Sequence, residues 1–500
     1  MNIDDFLDSV SPPAHAAPAF APSEYQQAIF GAARGTANLL IDAKAGTGKT
    51  TTICEAMDHA GGRSVFLAFN KTIAQELGNR IGKERAKTFN GLGHGLWMRY
   101  RPGSQLDARK TRRIAEGILG KDSAILKDYG FAIQRTVGLM KNNAFGIQSN
   151  YSVDEVKELI DSYDLSVPED MLAEVATAAT RVFYSSNADE ATFDFDDQLF
   201  GPILHRWSFP HWDNVWVDEC QDLSTIQHLM LEALSASRAR IGAVGDRHQA
   251  IYGFRGALSD SMDLLKRRFN MLELPLNISY RCPQAVIREA QKFCPDIQAR
   301  PGAPEGLVRW VQDMDGYDEG CDPEFFASDQ LILCRNNAPL FKAILRAVRA
   351  GKPVRVLSNF LESLAGFIRS FKVQTTVQLQ GKLDEWRRKE IEAAQKKGFL
   401  GKIAGIEDKH ATLTLFCRQC RNVEEIVKLL EKLAASTVGP IFSTIHKAKG
   451  LEADSVYILR PDLMPAKYAR TAESKQQEAN LQYVAITRAK DNLTYGEQPL

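Results

Sequence analysis

Residues 43–50 read AKAGTGKT, set between the apolar run NLLID (38–42) and the stretch TTICEAMDHA (51–60). A strand that runs into a Gly-bearing turn and then a helix presents converging backbone N–H groups, and Gly46 and Gly48 permit the tight curve that brings them together. A phosphate chain fits such a cradle. Lys49 then reaches the β- and γ-phosphates, the Thr50 hydroxyl suits Mg²⁺, and Ala45, Thr47 and Thr51 supply further backbone contacts. Ala43 stands where the general pattern carries Gly, a change between small residues.

Working outward, short apolar runs alternate with helical stretches: ANLLIDA, SVFLAF, NVWVDE and RIGAVGD. Each is the length of a buried parallel strand and ends in polar or Gly residues. The pattern predicts an α/β fold with a ligand at the carboxyl ends of the strands. One of these runs, VWVDECQD (215–222), ends in two adjacent carboxylates. Asp218 is placed to hold the Mg²⁺ shared with Thr50, and Glu219 to orient or deprotonate a water in line with the γ-phosphate. Adjacent acids alone are more often solvated surface charge, so their weight comes from the phosphate loop upstream.

Between Trp97 and Ala191 the strands give way to amphipathic helical stretches such as RKTRRIAEGIL, a helical insertion into the first α/β unit. A second strand–helix series begins near Leu272 with LELPLNISY and continues with LVRWVQ and DQLILCR. It is interrupted from about Leu361 to Ala435 by a helical stretch containing KLDEWRRKEIEAAQKK and resumes at PIFSTIH and SVYIL. The expected organisation is a flexible tail over 1–20, a first P-loop α/β domain over 21–96 and 191–271 with its insertion at 97–190, and a second over 272–360 and 436–500 with a reduced insertion at 361–435.

Lys and Arg, 62 together, balance 62 Asp and Glu, so bulk charge does not drive nucleic-acid coating. Any such contact needs a locally basic groove. The acidic start MNIDD and the lack of an apolar run of roughly 18 residues lead to the expectation of an intracellular, cytoplasmic protein without membrane contact. Eight cysteines over 500 residues give no disulfide framework. Cys417 and Cys420 have C-x-x-C spacing near His410, but no second pair completes a tetrahedral zinc site. A GTPase is disfavoured, because Asn70-Lys71-Thr72-Ile73 lacks the acid that would pair with guanine.

Eight segments in order carry a resemblance: PSEYQQAIF (22–30), LAFNKTIAQEL (67–77), KTFNGLGHGL (87–96), VDECQD (217–222), VGDRHQAIYGFRGA (244–257), ISYRCP (278–283), STIHKAKGLEADSVYIL (443–459) and EANLQYVAITRAK (478–490). Together they resemble the UvrD/Rep helicases of superfamily 1 over nearly the whole chain. The resemblance implies two RecA-like domains, ATP and Mg²⁺ as cofactors, and 3′→5′ movement on single-stranded DNA with unwinding at single-strand/duplex junctions. It matches Gln26 to the residue that reads adenine, with Gln27 the alternative register, Tyr280 to the one that stacks on the base, and Glu452 to the one near the ribose. Gln249 matches the polar sensor beside the γ-phosphate, and Arg281 and Arg488 match the arginines that reach that phosphate from the second domain. A guanidinium arriving from a second domain ties hydrolysis to domain closure.

For the strand, the resemblance puts Phe254 at a base-stacking position and Thr88, Asn90, Thr444 and His446 along the backbone path, with Asn90 where His is common. Phe69 is either a second stacking residue or a core aromatic. The expected state is a monomer or weak self-association, with room for an unidentified loading partner. Two other readings stand beside the helicase: a translocase that strips proteins from single strands with little unwinding, and a regulatory nucleic-acid-binding protein with a relic P-loop. The full set of Lys49, Thr50, Asp218, Glu219, Gln249, Arg281 and Arg488 speaks against the relic.

Overall fold

In the computed structural model the described residues are 21–497 apart from 69, 164, 166, 252–259, 313–328, 358–359, 397–399, 468 and 470. The tail expected over 1–20 lies outside them. The apolar runs form two six-stranded, wholly parallel sheets. The first has the order Ala86–Thr88, Ser64–Ala68, Asn214–Val217, Arg240–Gly245, Leu39–Ala43, Leu272–Leu276. The second has the order Leu307–Gln312, Ala489–Glu497, Ala453–Leu459, Leu331–Cys334, Ile441–Thr444, Arg355–Val356.

One strand departs from the apolar pattern's assignment. Leu272–Leu276, expected to open the second series, pairs instead with Leu39–Ala43 and closes the first sheet. Its edge position explains the sequence LELPL, because a proline without an N–H and a glutamate are tolerated where one side of the strand has no partner.

Alternation along the strands sends side chains to two cores per sheet. Leu40, Val65 and Val217 face the first insertion and pack with Ile133, Val137 and Val182 of its helices Ala124–Asn142 and Glu169–Ala188. Leu39, Ile41, Phe66 and Trp216 face the other way, under the helices Glu24–Ala33 and Lys49–Ala60. The insertion therefore shares its core with the sheet. Two short paired strands, Gln105–Leu106 and Thr192–Phe193, tie its base; the amphipathic pattern gave no sign of them.

In the second lobe, Ile332, Phe442 and Tyr457 pack against Leu364, Leu383, Phe416 and Ile426 of the four helices of the second insertion, between Phe360 and Ala435. Cys417 and Cys420 are partly buried against that same core. The opposite face of the sheet carries the helix Ala472–Ile486, and its core also takes in Ala45 and Ile251 from the first lobe. Among the described residues no helix is long and apolar enough to cross a membrane.

Register decides where chemistry can occur. Asp42 lies opposite Gly245 and Val217 opposite Ala243, so three neighbouring strands finish side by side. Their following residues, Lys44–Gly48, Asp218–Asp222 and Asp246–Gln249, gather on one edge of the sheet.

Candidate functional site

The loop after Leu39–Ala43 turns through Gly46 and Gly48, whose φ angles of 72° and 76° lie in the left-handed region. Side chains with a Cβ resist that region. Gly46 has a second constraint, because a Cβ there would sit 2.5 Å from that of Arg281, which belongs to the segment leading into the second lobe. The Thr47 hydroxyl donates to the Lys44 carbonyl at 2.9 Å, and the Tyr280 N–H donates to the Gly46 carbonyl at 2.8 Å. Lys44 is buried and paired with Asp42 at 2.9 Å. Gly48 starts the helix Lys49–Ala60, which puts Lys49, Thr50 and the exposed Thr51 in its first turn.

The acidic loop sits beside this helix. Thr50 Oγ1 lies 3.4 Å from Asp218 Oδ2. Glu219 adopts φ 50°, ψ 40°, a left-handed conformation that costs a non-glycine residue about 1–2 kcal/mol, so its neighbours must hold it there. Its N–H donates to Asp218 Oδ1 at 2.8 Å, and its carboxylate accepts from the Gln221 amide. Burial and the adjacent Glu219 push the Asp218 carboxyl up. Burial would do the same to Glu219, but Lys49, Lys449 and the Gln221 amide outweigh it and hold Glu219 well below the usual carboxylate range. Two adjacent acids thus take opposite protonation tendencies, a separation typical of sites that divide metal binding from proton transfer.

The second lobe closes over this edge. Lys449, from the HKAKGLE stretch, pairs with Asp222, donates to the Gln249 carbonyl at 2.9 Å and lies 3.6 Å from Glu219 Oε2. Burial still raises Asp222 to about 6. Arg281 Nη1 donates to the Thr487 carbonyl at 3.2 Å, and its Nε lies 2.7 Å from Glu452 without hydrogen-bond alignment. Glu452 also meets Lys490 at 2.9 Å; burial favours its neutral form, yet Lys490 and Arg281 together keep it below the ordinary glutamate range. Arg488 is buried and donates to the Val484 and Leu451 carbonyls and the Thr487 hydroxyl. Burial, reinforced by Arg281, brings its guanidinium down to about 10. Arg281 and Arg488 therefore stand close together at the seam, with Arg488 turned onto its own lobe.

Other expected nucleotide residues are placed less directly. Gln26 is buried in a capping box with Ser23 and donates to the Thr52 hydroxyl at 3.0 Å, so its amide faces the first lobe's own structure. Gln27 is exposed and donates to the Pro22 carbonyl. Tyr280 is 38% exposed beside the loop. Gln249 donates to Asp246 Oδ2 at 2.7 Å.

Away from the seam, Thr88 caps the helix Phe89–Tyr100 and Asn90 donates to the Phe195 carbonyl and the Gln198 amide oxygen at 2.8 and 3.0 Å. Both line an open groove of about 1000 Å³ together with Lys71, Lys87, His94 and Phe195. Phe195 is 55% exposed, an aromatic face beside lysines that the sequence reading did not single out, although FDFDDQLF carries it. Thr444 ends its strand and His446 lies in the turn Ile445–Ala448 that follows. Phe69 and Phe254 lie outside the described residues. Lys449, Gln221 and Asp246 were also missed; all three sit inside quoted segments, and their roles appear only when the two lobes are seen together.

Comparison with known proteins gives two family matches: the UvrD/REP helicase N-terminal domain over residues 24–270 and the UvrD-like helicase C-terminal domain over residues 377–496. The chain is 23% identical to F-box DNA helicase protein 1 of Schizosaccharomyces pombe, across 91% of this chain and 55% of that protein. It is 22% identical to a probable DNA helicase II homolog of Mycoplasma pneumoniae, across 91% and 81%. With the ATP-dependent DNA helicase Rep of Escherichia coli it shares 27% identity across 51% of this chain and 41% of that one. It thus spans about half the length of two of these three relatives. With a match in each lobe and both sheets parallel, the chain belongs to the UvrD/REP helicase family.

Proposed function

We propose that this protein is an ATP-driven motor on single-stranded DNA that couples hydrolysis to 3′→5′ translocation and duplex unwinding. The observation that carries the reading is the seam. Phosphate-loop, acidic and polar-turn residues come from the first lobe, whereas Arg281, Lys449 and Arg488 reach the same edge from the segment beyond it and from the second lobe. A hydrolytic site assembled from two bodies makes turnover depend on their approach, and the groove lined by Thr88, Asn90 and Phe195 offers a strand path on the same lobe.

In this reading Lys49 and the loop amides bind the triphosphate, and Glu219 takes the proton of the attacking water. Arg281 and Arg488 stabilise the charge that develops on the transferred phosphoryl oxygens, with Arg488 leaving its carbonyl partners to do so. Thr50 and Asp218, oxygen donors 3.4 Å apart, fit Mg²⁺, which when bound neutralises phosphate charge. Tyr280 stacks on the base, and Gln26 exchanges its capping contacts for the adenine edge. The DNA substrate follows the names of the relatives, which are DNA helicases, and the polarity follows the resemblance to the family.

The test is ATP turnover with and without single-stranded DNA for wild type and Glu219→Gln, followed by displacement assays on tailed duplexes. DNA-stimulated hydrolysis that the substitution abolishes supports the motor. Stimulation without strand separation points to the translocase that clears bound proteins. Stimulation by RNA alone refutes the DNA assignment, and no stimulated turnover at all favours a regulatory binding protein.

A further inference from the structure

The helix Ala472–Ile486 makes a contact that neither the phosphate loop nor the arginines explain. Tyr483 is fully buried, and its hydroxyl accepts the Ala45 N–H at 2.9 Å while donating to Asp246 Oδ2 at 3.3 Å. Ala45 lies in the phosphate loop, Asp246 follows the neighbouring strand Arg240–Gly245, and Tyr483 belongs to the other lobe. One hydroxyl therefore joins three elements.

Asp246 is a hub with no solvent exposure. Its Oδ2 also accepts the Gln249 amide at 2.7 Å, its Oδ1 accepts the His248 N–H at 3.0 Å, and its own N–H donates to Gln221 Oε1 at 3.0 Å. The Gln221 amide in turn donates to Glu219. A continuous hydrogen-bonded path thus runs from Tyr483 through Asp246 to Gln249 on one branch and to Glu219 on the other. The same helix holds the turn between them from outside, because Asn480 donates to the Arg247 and Ala250 carbonyls at 3.1 and 2.9 Å. Five residues beyond Tyr483 the chain reaches Arg488, so any movement of that arginine is tied mechanically to the hydroxyl.

We propose that Tyr483 is a positioning residue for hydrolysis: its hydroxyl aligns Gln249 and Glu219 with the phosphate loop only while the second lobe is docked. The proposal rests on the ATPase reading above and adds a residue and a route to it. Burial, with Asp246 beside it, keeps the phenol far above its ordinary pKa, so the hydroxyl retains its proton at any working pH. A phenylalanine fills the same space but can neither accept from Ala45 nor donate to Asp246, which isolates the bonding role.

Tyr483→Phe is tested by steady-state ATP turnover at saturating single-stranded DNA, by titration with a fluorescent ATP analogue and by thermal melting. The expected result is a kcat about tenfold lower, the weight of one well-placed hydrogen bond, with KM for ATP within about threefold of wild type. In an Asp246→Asn background the same substitution should cost less than about twofold, because the two groups act as a unit. A kcat unchanged by Tyr483→Phe overturns the proposal. So does a parallel fall in kcat, nucleotide affinity and melting temperature, which marks a merely structural tyrosine, or an undiminished effect in the Asp246→Asn background. Failure of the motor reading is distinct: there wild type itself shows no DNA-stimulated turnover.

Discussion

Acidification should weaken the first lobe through one buried imidazole. His228, on the helix Thr225–Ala236, is 1% exposed, and its Nε2 lies 2.9 Å from the Ser261 hydroxyl, which donates to the Cys220 carbonyl at 2.6 Å. With the serine proton committed to Cys220, Nε2 must carry the hydrogen and Nδ1 the lone pair. Nδ1 is buried without a hydrogen-bond partner. A second proton would have no acceptor, and burial, aided by Arg268, depresses the imidazole to about 4. Arg268 is itself paired with Glu232 on the His228 helix at 2.7 Å, so the local field is modest and desolvation dominates.

The unfolded chain, with a histidine pKa near 6.5, takes up the proton first. Stability is therefore full above about pH 6.5 and is lost as the pH falls toward 4, by about 2 kcal/mol at pH 5. Urea unfolding followed by tryptophan fluorescence should show this loss in wild type. His228→Gln keeps a donor toward Ser261 but does not titrate, so the loss between about pH 7.5 and pH 5 should shrink by about 2 kcal/mol. Equal pH dependence in the two proteins refutes the assignment.

Three further outcomes follow from the geometry. Gly46→Ala places a methyl group against Arg281 at a left-handed φ, so ATP affinity should fall at least about tenfold and stability by at least about 1–2 kcal/mol; isothermal titration and thermal melting measure the two. A Cβ at Gly93 would overlap the Gln198 carbonyl, so Gly93→Ala should cost about 3 kcal/mol and weaken single-strand binding by spreading the helices that carry Asn90 and Phe195, measured by melting and by fluorescence anisotropy. Lys110 is buried, 2.8 Å from Asp197 and 2.9 Å from the Asp189 carbonyl; Lys110→Met leaves that carboxylate with Lys141 and the Asp194 N–H and should destabilise the first lobe by about 2–3 kcal/mol in chemical denaturation.

What the sequence made legible was local. The runs NLLID, SVFLAF, NVWV and RIGAVG are apolar throughout because a parallel strand is buried on both faces, and each forms a strand of the first sheet. The phosphate loop was legible because its glycines answer a backbone demand within eight residues. Leu272–Leu276 was misplaced because an edge strand obeys weaker rules, and nothing in LELPL says which sheet it joins. Gln26 was legible as a glutamine near the loop but not as half of a capping box, since the partner Ser23 competes for the same amide. Phe195 went unremarked because an aromatic in a mostly apolar helix gives no sign of facing outward.

What stayed hidden depends on the second lobe. Asp218, Glu219 and Asp222 lie within five residues of one another, the two aspartates buried and Glu219 partly so, and desolvation alone would raise all three. Only Glu219 is lowered, because Lys49 stands on one side and Lys449 on the other, with the Gln221 amide on its carboxylate. Lys449 is 230 residues away in sequence and on the opposite sheet's flank. The result is a division: Glu219 is held ionised, whereas Asp218 and Asp222 bind a proton more tightly than an ordinary carboxyl. Because a lysine from the second lobe helps create that division, and Tyr483 from the same lobe fixes the turn behind it, separating the lobes would remove both the charge and the alignment. The electrostatics of the acidic loop are thus a property of the docked pair of lobes.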